Sequence, residues 1–477
     1  MSGSNRTDFR HCAVAMTLGV SLAAALPAGQ AAAAEWDFTP RIRATQHWTD
    51  NVTAAPSGFE ESEWITAVTP GFTLGLEGPR GQMDLSYEAQ ALWYRDNSEF
   101  DDVYHSLLGN GQLVLVPNRF FVDGFARYDQ ENIDPTQRLT TGNIFQTGNR
   151  TDVGVYGFSP WYTQRFGDWG ETLVRYSYQG VRYRDTDDTA VRVQDSDRNS
   201  IEGRIGSPRD RPGLSWGASA SYQRTDFEFV PEFEYARAAL DFGYPVGART
   251  RVTVTGGMES DVLEDRTTGG FDEEFWLVGL AWNPTDLQSL SVQVGRRFFG
   301  TSFELDWQRR GTRGDLSVSY REEPTTANNR LLDGEGVFAG GRPGLPALDP
   351  EVYLSKRLTA SGTYNLTRTR LAASLYGEKR ERSIEDQGVD DEVYGVRLSA
   401  DWDAAPRTRV NVFTRYERRD FGGTLRTSDY YQLGAGVRRD LTRTLFASFD
   451  IAHLRRDFDA RDDYRINTAS ISIGAEF

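Results

Sequence analysis

The sequence predicts an all-β protein, a transmembrane antiparallel β-barrel of about 22 strands with no plug domain. Three observations carry that expectation. The chain begins with the pattern of an export signal, apolar and polar residues alternate along most of the remaining sequence, and the last strand ends on an aromatic residue.

Arg6, Arg10 and His11 make a basic start, residues 12–26 form an apolar run, and Ala31-Ala32-Ala33-Ala34 precedes Glu35. This is the order of a secretory signal peptide, so residues 1–34 are expected to be cleaved by the general secretory route and residues 35–477 to form the barrel. The apolar run is shorter than the roughly 20 residues a helical span needs. Cys12 is the only cysteine, and it lacks the residues that lipoprotein processing requires before it. The mature chain therefore has no thiol and is not a disulfide-stapled extracellular module. No later stretch is apolar enough for a membrane helix. Only 38% of residues are hydrophobic, although 12% are aromatic and 47 are Gly. A barrel tolerates this, because half of each strand faces a wet lumen. A net charge of −16 excludes nucleic acid as a partner, since phosphates demand a basic face.

Side chains along a strand point alternately to opposite faces. Leu214, Trp216, Ala218, Ala220 and Tyr222 alternate with Ser215, Gly217, Ser219, Ser221 and Gln223. Leu85, Tyr87, Ala89, Ala91 and Trp93 oppose Asp84, Ser86, Glu88 and Gln90, and Tyr394, Val396, Leu398, Ala400 and Trp402 oppose Gly395, Arg397, Ser399 and Asp401. Central strands of a soluble fold bury both sides and would not carry so many polar faces. Tight-turn signals fall at 78–81, 116–119, 166–168, 208–210, 245–247, 283–286, 311–313, 367–369, 406–408 and 442–444. Here Pro fixes φ, and Gly or Asn supplies positive φ. Longer acidic connections, such as 185–197, 259–274 and 324–350, lie between them. About eleven hairpins result, with residues 124–154 and 298–313 divisible in more than one way. Trp93, Tyr94, Trp161, Tyr162, Trp282, Trp402, Tyr430 and Tyr431 sit near strand ends and are expected to form aromatic girdles at the headgroup level. Ala469, Ile471, Ile473, Ala475 and Phe477 alternate with small or polar residues to the last position. Ile471, Ile473 and Phe477 resemble the terminal signal read by the barrel-assembly machinery.

Catalytic chemistry has little support. His47, His105 and His453 are widely spaced and have no serine motif beside them. No His/Cys metal spacing exists, and the acidic clusters at 185–188 and 272–274 lack the spacing of a calcium loop. The expectation is no catalytic, metal or cofactor site. The inward faces are more informative. Arg175, Arg237, Arg397, Arg409, Arg415 and Arg438 are expected to share the lumen with Asp84, Glu88, Asp241, Asp315 and Asp401. Charges of both signs suit polar solutes, and they also brace a wide wall.

Thr49-Asp50-Asn51-Val52, Glu63-Trp64-Ile65 and Thr69-Pro70-Gly71 resemble the opening of the outer-membrane barrel family associated with the PEP-CTERM/exosortase system of exopolysaccharide-producing Gram-negative bacteria. Phe158-Ser159-Pro160-Trp161-Tyr162, Arg165-Phe166-Gly167 and Val174-Arg175-Tyr176-Ser177-Tyr178 are similar to that family's central hairpin. The resemblance implies a barrel encoded among exopolysaccharide genes, with no settled activity and no functional residues to carry over. The resulting expectation is a porin-like conduit in the outer membrane. Its partners would be lipid, lipopolysaccharide, the assembly machinery and exopolysaccharide or its export components. The alternatives are a surface-binding barrel without transport and, last, a barrel-rim hydrolase.

N-terminal sequencing of the mature protein should begin at Glu35. Deleting Phe477 should reduce the folded yield in outer-membrane fractions, and an unchanged yield would remove its role as an assembly signal.

Overall fold

A computed structural model describes residues 34–184, 193–208, 213–265, 267, 269–333, 348, 351–382, 390–422, 427–459 and 461–477. The signal segment apart from Ala34, the 185–188 cluster and most of the 324–350 connection lie outside them. The described chain forms one antiparallel sheet of 22 strands, and β1 (Glu35–Thr49) pairs with β22 (Tyr464–Glu476) to close it into a barrel. Nine register pairs, from Arg41↔Glu476 to Thr49↔Thr468, make the seam. At about 4.8 Å per strand and a tilt of roughly 40°, such a barrel is about 40 Å across.

Among the described residues nine tight connections, each from an even strand to the following odd one, lie at the end of the barrel where β1 starts and β22 finishes. Asn118 (φ 61°) and Gly167 (φ 59°) take the left-handed conformation in two of them. Two turns fall slightly beyond the signals in the sequence. β10 (Phe233–Gly247) and β12 (Glu273–Thr285) run on past their prolines, because the register shifts between Pro245 and Gly247 and between Trp282 and Thr285. The first shift leaves Val246 unpaired next to Pro245, and the second leaves Asn283 and Pro284 out of the register. Pro70 in β2 (Glu63–Gly78) and Pro160 in β6 (Arg150–Phe166) lie where pairing with the next strand skips, between Val68↔Ala91 and Gly71↔Glu88 and between Phe158↔Tyr178 and Trp161↔Arg175. The two ambiguous regions resolve as β5 (Phe120–Asn132), a long connection and β6 in the first, and β13 (Gln288–Arg297), Phe298-Phe299 and β14 (Gly300–Gly311) in the second.

The alternation sorts the faces. Ala218 pairs with Leu240, and Leu398 pairs with Ala373, on an outer belt where Leu240, Leu371, Leu375, Leu398, Phe449 and Ile451 are exposed. Ser159 Oγ donates to Ser177 Oγ at 2.8 Å on the inner face, and the Ser317 and Ser361 hydroxyls meet at 2.7 Å there. A closed sheet with an apolar exterior and a polar interior satisfies its whole backbone in lipid. Trp93, Tyr162, Trp282, Trp402 and Tyr431 lie on the outer register and are exposed. Tyr94, Trp161 and Tyr430 do not belong to a girdle, because neighbours in a strand cannot share a face. Tyr94 and Tyr430 are buried inside the barrel, and Trp161 stacks on Phe121 with ring centroids 4.1 Å apart, beneath Arg175. On β22, Ile471, Ile473 and Phe477 point outward and are 64%, 55% and 69% exposed. The Phe477 amide donates to Pro40 O at 3.0 Å, which fastens the terminal residue to β1.

Ala218→Arg or Leu398→Arg should cost about 2–4 kcal/mol near the bilayer midplane. Ser219→Arg or Ser399→Arg, on the lumen register, should cost much less. Folding titrations into lipid vesicles compare the four, and equal costs would refute the faces assigned here.

Candidate functional site in the barrel lumen

All eleven charged positions singled out in the sequence fall on the inner register, and among the described residues none forms a salt bridge with another of the eleven. Glu88 meets Arg41 at 3.0 Å and Arg43 at 3.7 Å. Arg175 lies between Asp123 at 3.3 Å and Glu202 at 3.5 Å, with its guanidinium over Trp161. Arg237 covers the Phe275 ring at 4.3 Å and Arg397 covers Phe413 at 5.9 Å. Arg409 pairs with Asp403 at 3.4 Å, and Arg438 pairs with Asp440 at 3.4 Å and Glu476 at 3.3 Å. Arg415 bonds Glu417 at 3.0 Å and lies over Tyr430. Asp84, Asp241, Asp315 and Asp401 make no salt bridge among the described residues. His47 also faces inward. His105 and His453 are on the outer register, where His105 Nδ1 meets Tyr87 Oη at 2.8 Å and His453 Nδ1 meets Asn467 Oδ1 at 2.7 Å. No cluster of His, Cys, Asp and Glu able to hold a metal occurs among the described residues.

The alternating pattern gave no sign that the lumen is filled at the end opposite the termini. Among the described residues three connections turn inward there. The first, 50–62, follows β1. Asp50 accepts from the Asn467 backbone amide at 2.7 Å, and Asn51 Nδ2 donates to Ala55 O at 2.8 Å and Arg465 O at 3.0 Å. This clamps the loop to the last strand and buries Val52 and Ala54.

The second connection, 133–149, joins β5 to β6. An Asx turn at Asp134, whose carboxylate accepts from the Thr136 amide at 2.8 Å, starts it. Asn149 then holds its neck, donating to Asp134 O at 2.9 Å and Arg138 O at 3.2 Å. It reaches strands from the far end of the chain. The Leu139 amide donates to Tyr464 Oη, which donates back to Leu139 O, both at 2.9 Å. Arg456, about 1% exposed, donates to Pro135 O at 2.6 Å and Gln137 O at 2.9 Å. Ile144 and Phe145 complete an apolar cluster with Val52, Ile65, Leu92, Leu454 and Ile466.

The third, between β15 (Gly314–Thr325) and β16 (Tyr353–Asn365), carries the short helix α1 (Ala327–Leu332), capped by Thr326 Oγ1, which accepts from the Asn329 amide at 3.2 Å. All six of its residues are buried. Leu331, Leu332 and Leu348 pack on Val153, Val155 and Val181 of β6 and β7 (Gly170–Tyr183). Asn328 Nδ2 donates to Gln194 O at 2.9 Å and Ser196 Oγ at 2.8 Å. On the other side Arg330 meets Glu378 of β17 (Thr369–Arg382) at 2.7 Å, and Glu378 also bonds Arg380 at 2.9 Å. The helix thus braces opposite walls. Leu348 N donates to Ile133 O at 2.9 Å, so the second and third connections meet.

A chamber of about 550 Å³ lies between 135–145 and the wall formed by β19 (Thr408–Asp420), β20 (Thr427–Asp440), β21 (Leu445–Phe458) and β22, with β1, β3 (Gly81–Tyr94) and β5 at its edge. A clue to these inward loops was present in the sequence. Asp134-Pro135 and Gly142-Asn143 precede the apolar pair Ile144-Phe145 without period-two alternation. In β17, Glu378, Arg380 and Arg382 merely continue the inner face past the apolar belt.

No protein-family model matches this chain, and no curated protein does. Solved structures do resemble it. The ferric enterobactin receptor PfeA of Pseudomonas aeruginosa, in two mutant forms in complex with enterobactin, superposes with a TM-score of 0.50 at 11% and 10% identity, over 92% of this chain and 81% of the receptor in each case. The fold is that of a large outer-membrane barrel. At such identity the likeness extends to the fold alone. The E. coli ferric-catecholate import receptor Fiu gives a TM-score of 0.49 at 8% identity, over 92% of this chain and 81% of Fiu.

Replacing Arg456 with Leu removes charge-assisted bonds to the 133–149 connection. Exchange of the Leu139 amide should then speed up roughly ten- to hundredfold, read by hydrogen–deuterium exchange in detergent. No change would mean that Arg456 does not hold the loop.

Proposed function

We propose that the protein is an outer-membrane conduit for a polar solute, closed at rest by its own inward connections, and that it serves extracellular polysaccharide. The observation that carries this reading is the pairing of a wide, hydroxyl- and charge-lined lumen with a closure confined to one end. The half near the termini keeps a hydrated wall, including a hollow of about 570 Å³ lined by Arg310, Asp315, Ser317, Ser361, Arg370 and Arg397. The polysaccharide context comes from the sequence resemblance. The enterobactin bound by the receptor is not carried over.

The well-packed closure also supports a second reading, a surface-binding barrel that transports nothing. Planar-bilayer recordings separate the two. The intact protein should pass a small ion current, and replacing residues 327–350 or 134–148 by a short Gly-Ser link should raise it. Arg237→Glu, Arg397→Glu and Arg438→Glu together should shift selectivity towards cations, because lumen charge sets selectivity. If neither the intact protein nor either loop replacement conducts, the conduit reading fails and the surface barrel replaces it.

A further inference from the structure

We propose that the chamber beneath residues 135–145 is a binding site for a neutral, hydroxylated carbohydrate of roughly two or three sugar rings. Its volume of about 550 Å³ falls within the roughly 300–1,000 Å³ span of small-molecule sites. The proposal rests on the conduit reading for how a glycan reaches the chamber, while the site itself stands on its own geometry.

Charge decides the class of ligand. Arg150, Arg415 and Arg419 line the chamber together with Asp129, Glu131 and Glu417, so three formal charges of each sign cancel. An anion would meet three carboxylates and a cation three guanidinium groups, and desolvating either there is costly. A sugar hydroxyl both donates and accepts, and a vicinal pair can take a bond from an arginine while giving one to a carboxylate. The chamber offers both partners at short range. Arg415 Nη2 bonds Glu417 at 3.0 Å, and Arg419 Nη2 bonds the other oxygen of Glu417 at 3.2 Å.

Two features mark a built site rather than leftover space. Glu131 is 7% exposed, lines the chamber, and its carboxylate accepts a backbone bond from Asn132 with no salt bridge among the described residues. Thr140, 2% exposed and also lining it, has a hydroxyl with no hydrogen-bond partner among the described residues. Buried polar groups without partners are rare and call for an explanation. A hydroxylated ligand supplies a partner to the Thr140 hydroxyl and further ones to the Glu131 carboxylate. Tyr430, 4% exposed, and the neighbouring Phe145 add apolar surface for the C–H face of a sugar ring, while Gln432 adds an amide at the rim.

The test is calorimetry on the full barrel in lipid nanodiscs, with maltotriose, cellotriose and N,N′,N″-triacetylchitotriose as neutral probes and trigalacturonate as an anionic probe of similar size. At least one neutral probe should bind, and more tightly than trigalacturonate. Glu131→Gln and Gln432→Ala should each weaken that binding about tenfold, with heat-modifiable electrophoretic mobility unchanged. Should Glu131→Gln fail to fold, Gln432→Ala still decides. The proposal is overturned if no neutral probe binds, if trigalacturonate binds more tightly, or if the folded variants bind as well as the unmodified chain. Binding does not require current, so a non-conducting barrel that binds sugar would sink the conduit reading and leave the chamber standing.

Discussion

The closing pair of strands is the constraint on which the rest of the structure depends. A sheet in lipid cannot leave an edge, because each unpaired amide or carbonyl in hydrocarbon costs several kcal/mol. The nine-pair register between β1 and β22 removes that edge. At one end of the seam Asp50 and Asn51 bond Asn467 and Arg465, and at the other the Phe477 amide bonds Pro40 O. The Thr49–Val52 segment, where the sequence resemblance begins, is therefore a seam fastener in physical terms. Its side chains hold the first loop against the last strand.

Closure with 22 strands creates a second problem, because the enclosed space is too wide for wall side chains to fill. The chain fills one end with its own connections. Each of them must satisfy its backbone polar groups inside the barrel, and the wall provides the partners. Tyr464 both donates to and accepts from Leu139, and Arg456 donates to two loop carbonyls. Small apolar clusters, one around Ile144 and Phe145 and one around Leu331 and Leu332, exclude water where these loops touch the strands. The inner wall is thus polar along most of its height and locally apolar only beneath the loops.

This division explains why some features were legible in the sequence and others were not. Period-two alternation and turn chemistry are local, so the strands, their faces and the number of hairpins were legible. The faces of Leu398 and Ser399 follow from their neighbours alone. The same rule, applied strictly, also separates Trp93 from Tyr94 and Tyr430 from Tyr431, because adjacent residues cannot both meet lipid. Grouping them by position along the strand overlooked that. What the inward loops pack against was not legible, because their partners are remote in sequence. Nothing near Pro135 announces Arg456, and nothing near Arg330 announces Glu378. The lumen charges were assigned from alternation, but their pairing was not, since Arg175 meets Asp123 and Glu202 through registers that only the folded sheet defines.

The two halves of the closure differ in what moving them breaks. Helix α1 carries Arg330 into a buried network with Glu378 and Arg380, and withdrawing it would leave Glu378 short of a partner in a dry setting. Breaking one member out of a buried ion pair costs about 3–5 kcal/mol. The 133–149 connection is held instead by bonds to its backbone carbonyls and amides and by the small cluster around Ile144 and Phe145. Each neutral bond of that kind contributes about 0.5–1.5 kcal/mol and each from the Arg456 guanidinium about 1.5–3 kcal/mol, and water entering from the lumen can replace them. The two halves touch through a backbone bond from Leu348 to Ile133. Displacing 133–149 while α1 stays as a brace exchanges backbone bonds for bonds to water and leaves the ion network of Glu378 intact. That route runs along the chamber, whose roof is the same connection, so a solute bound there lies against the part of the closure whose bonds water can replace.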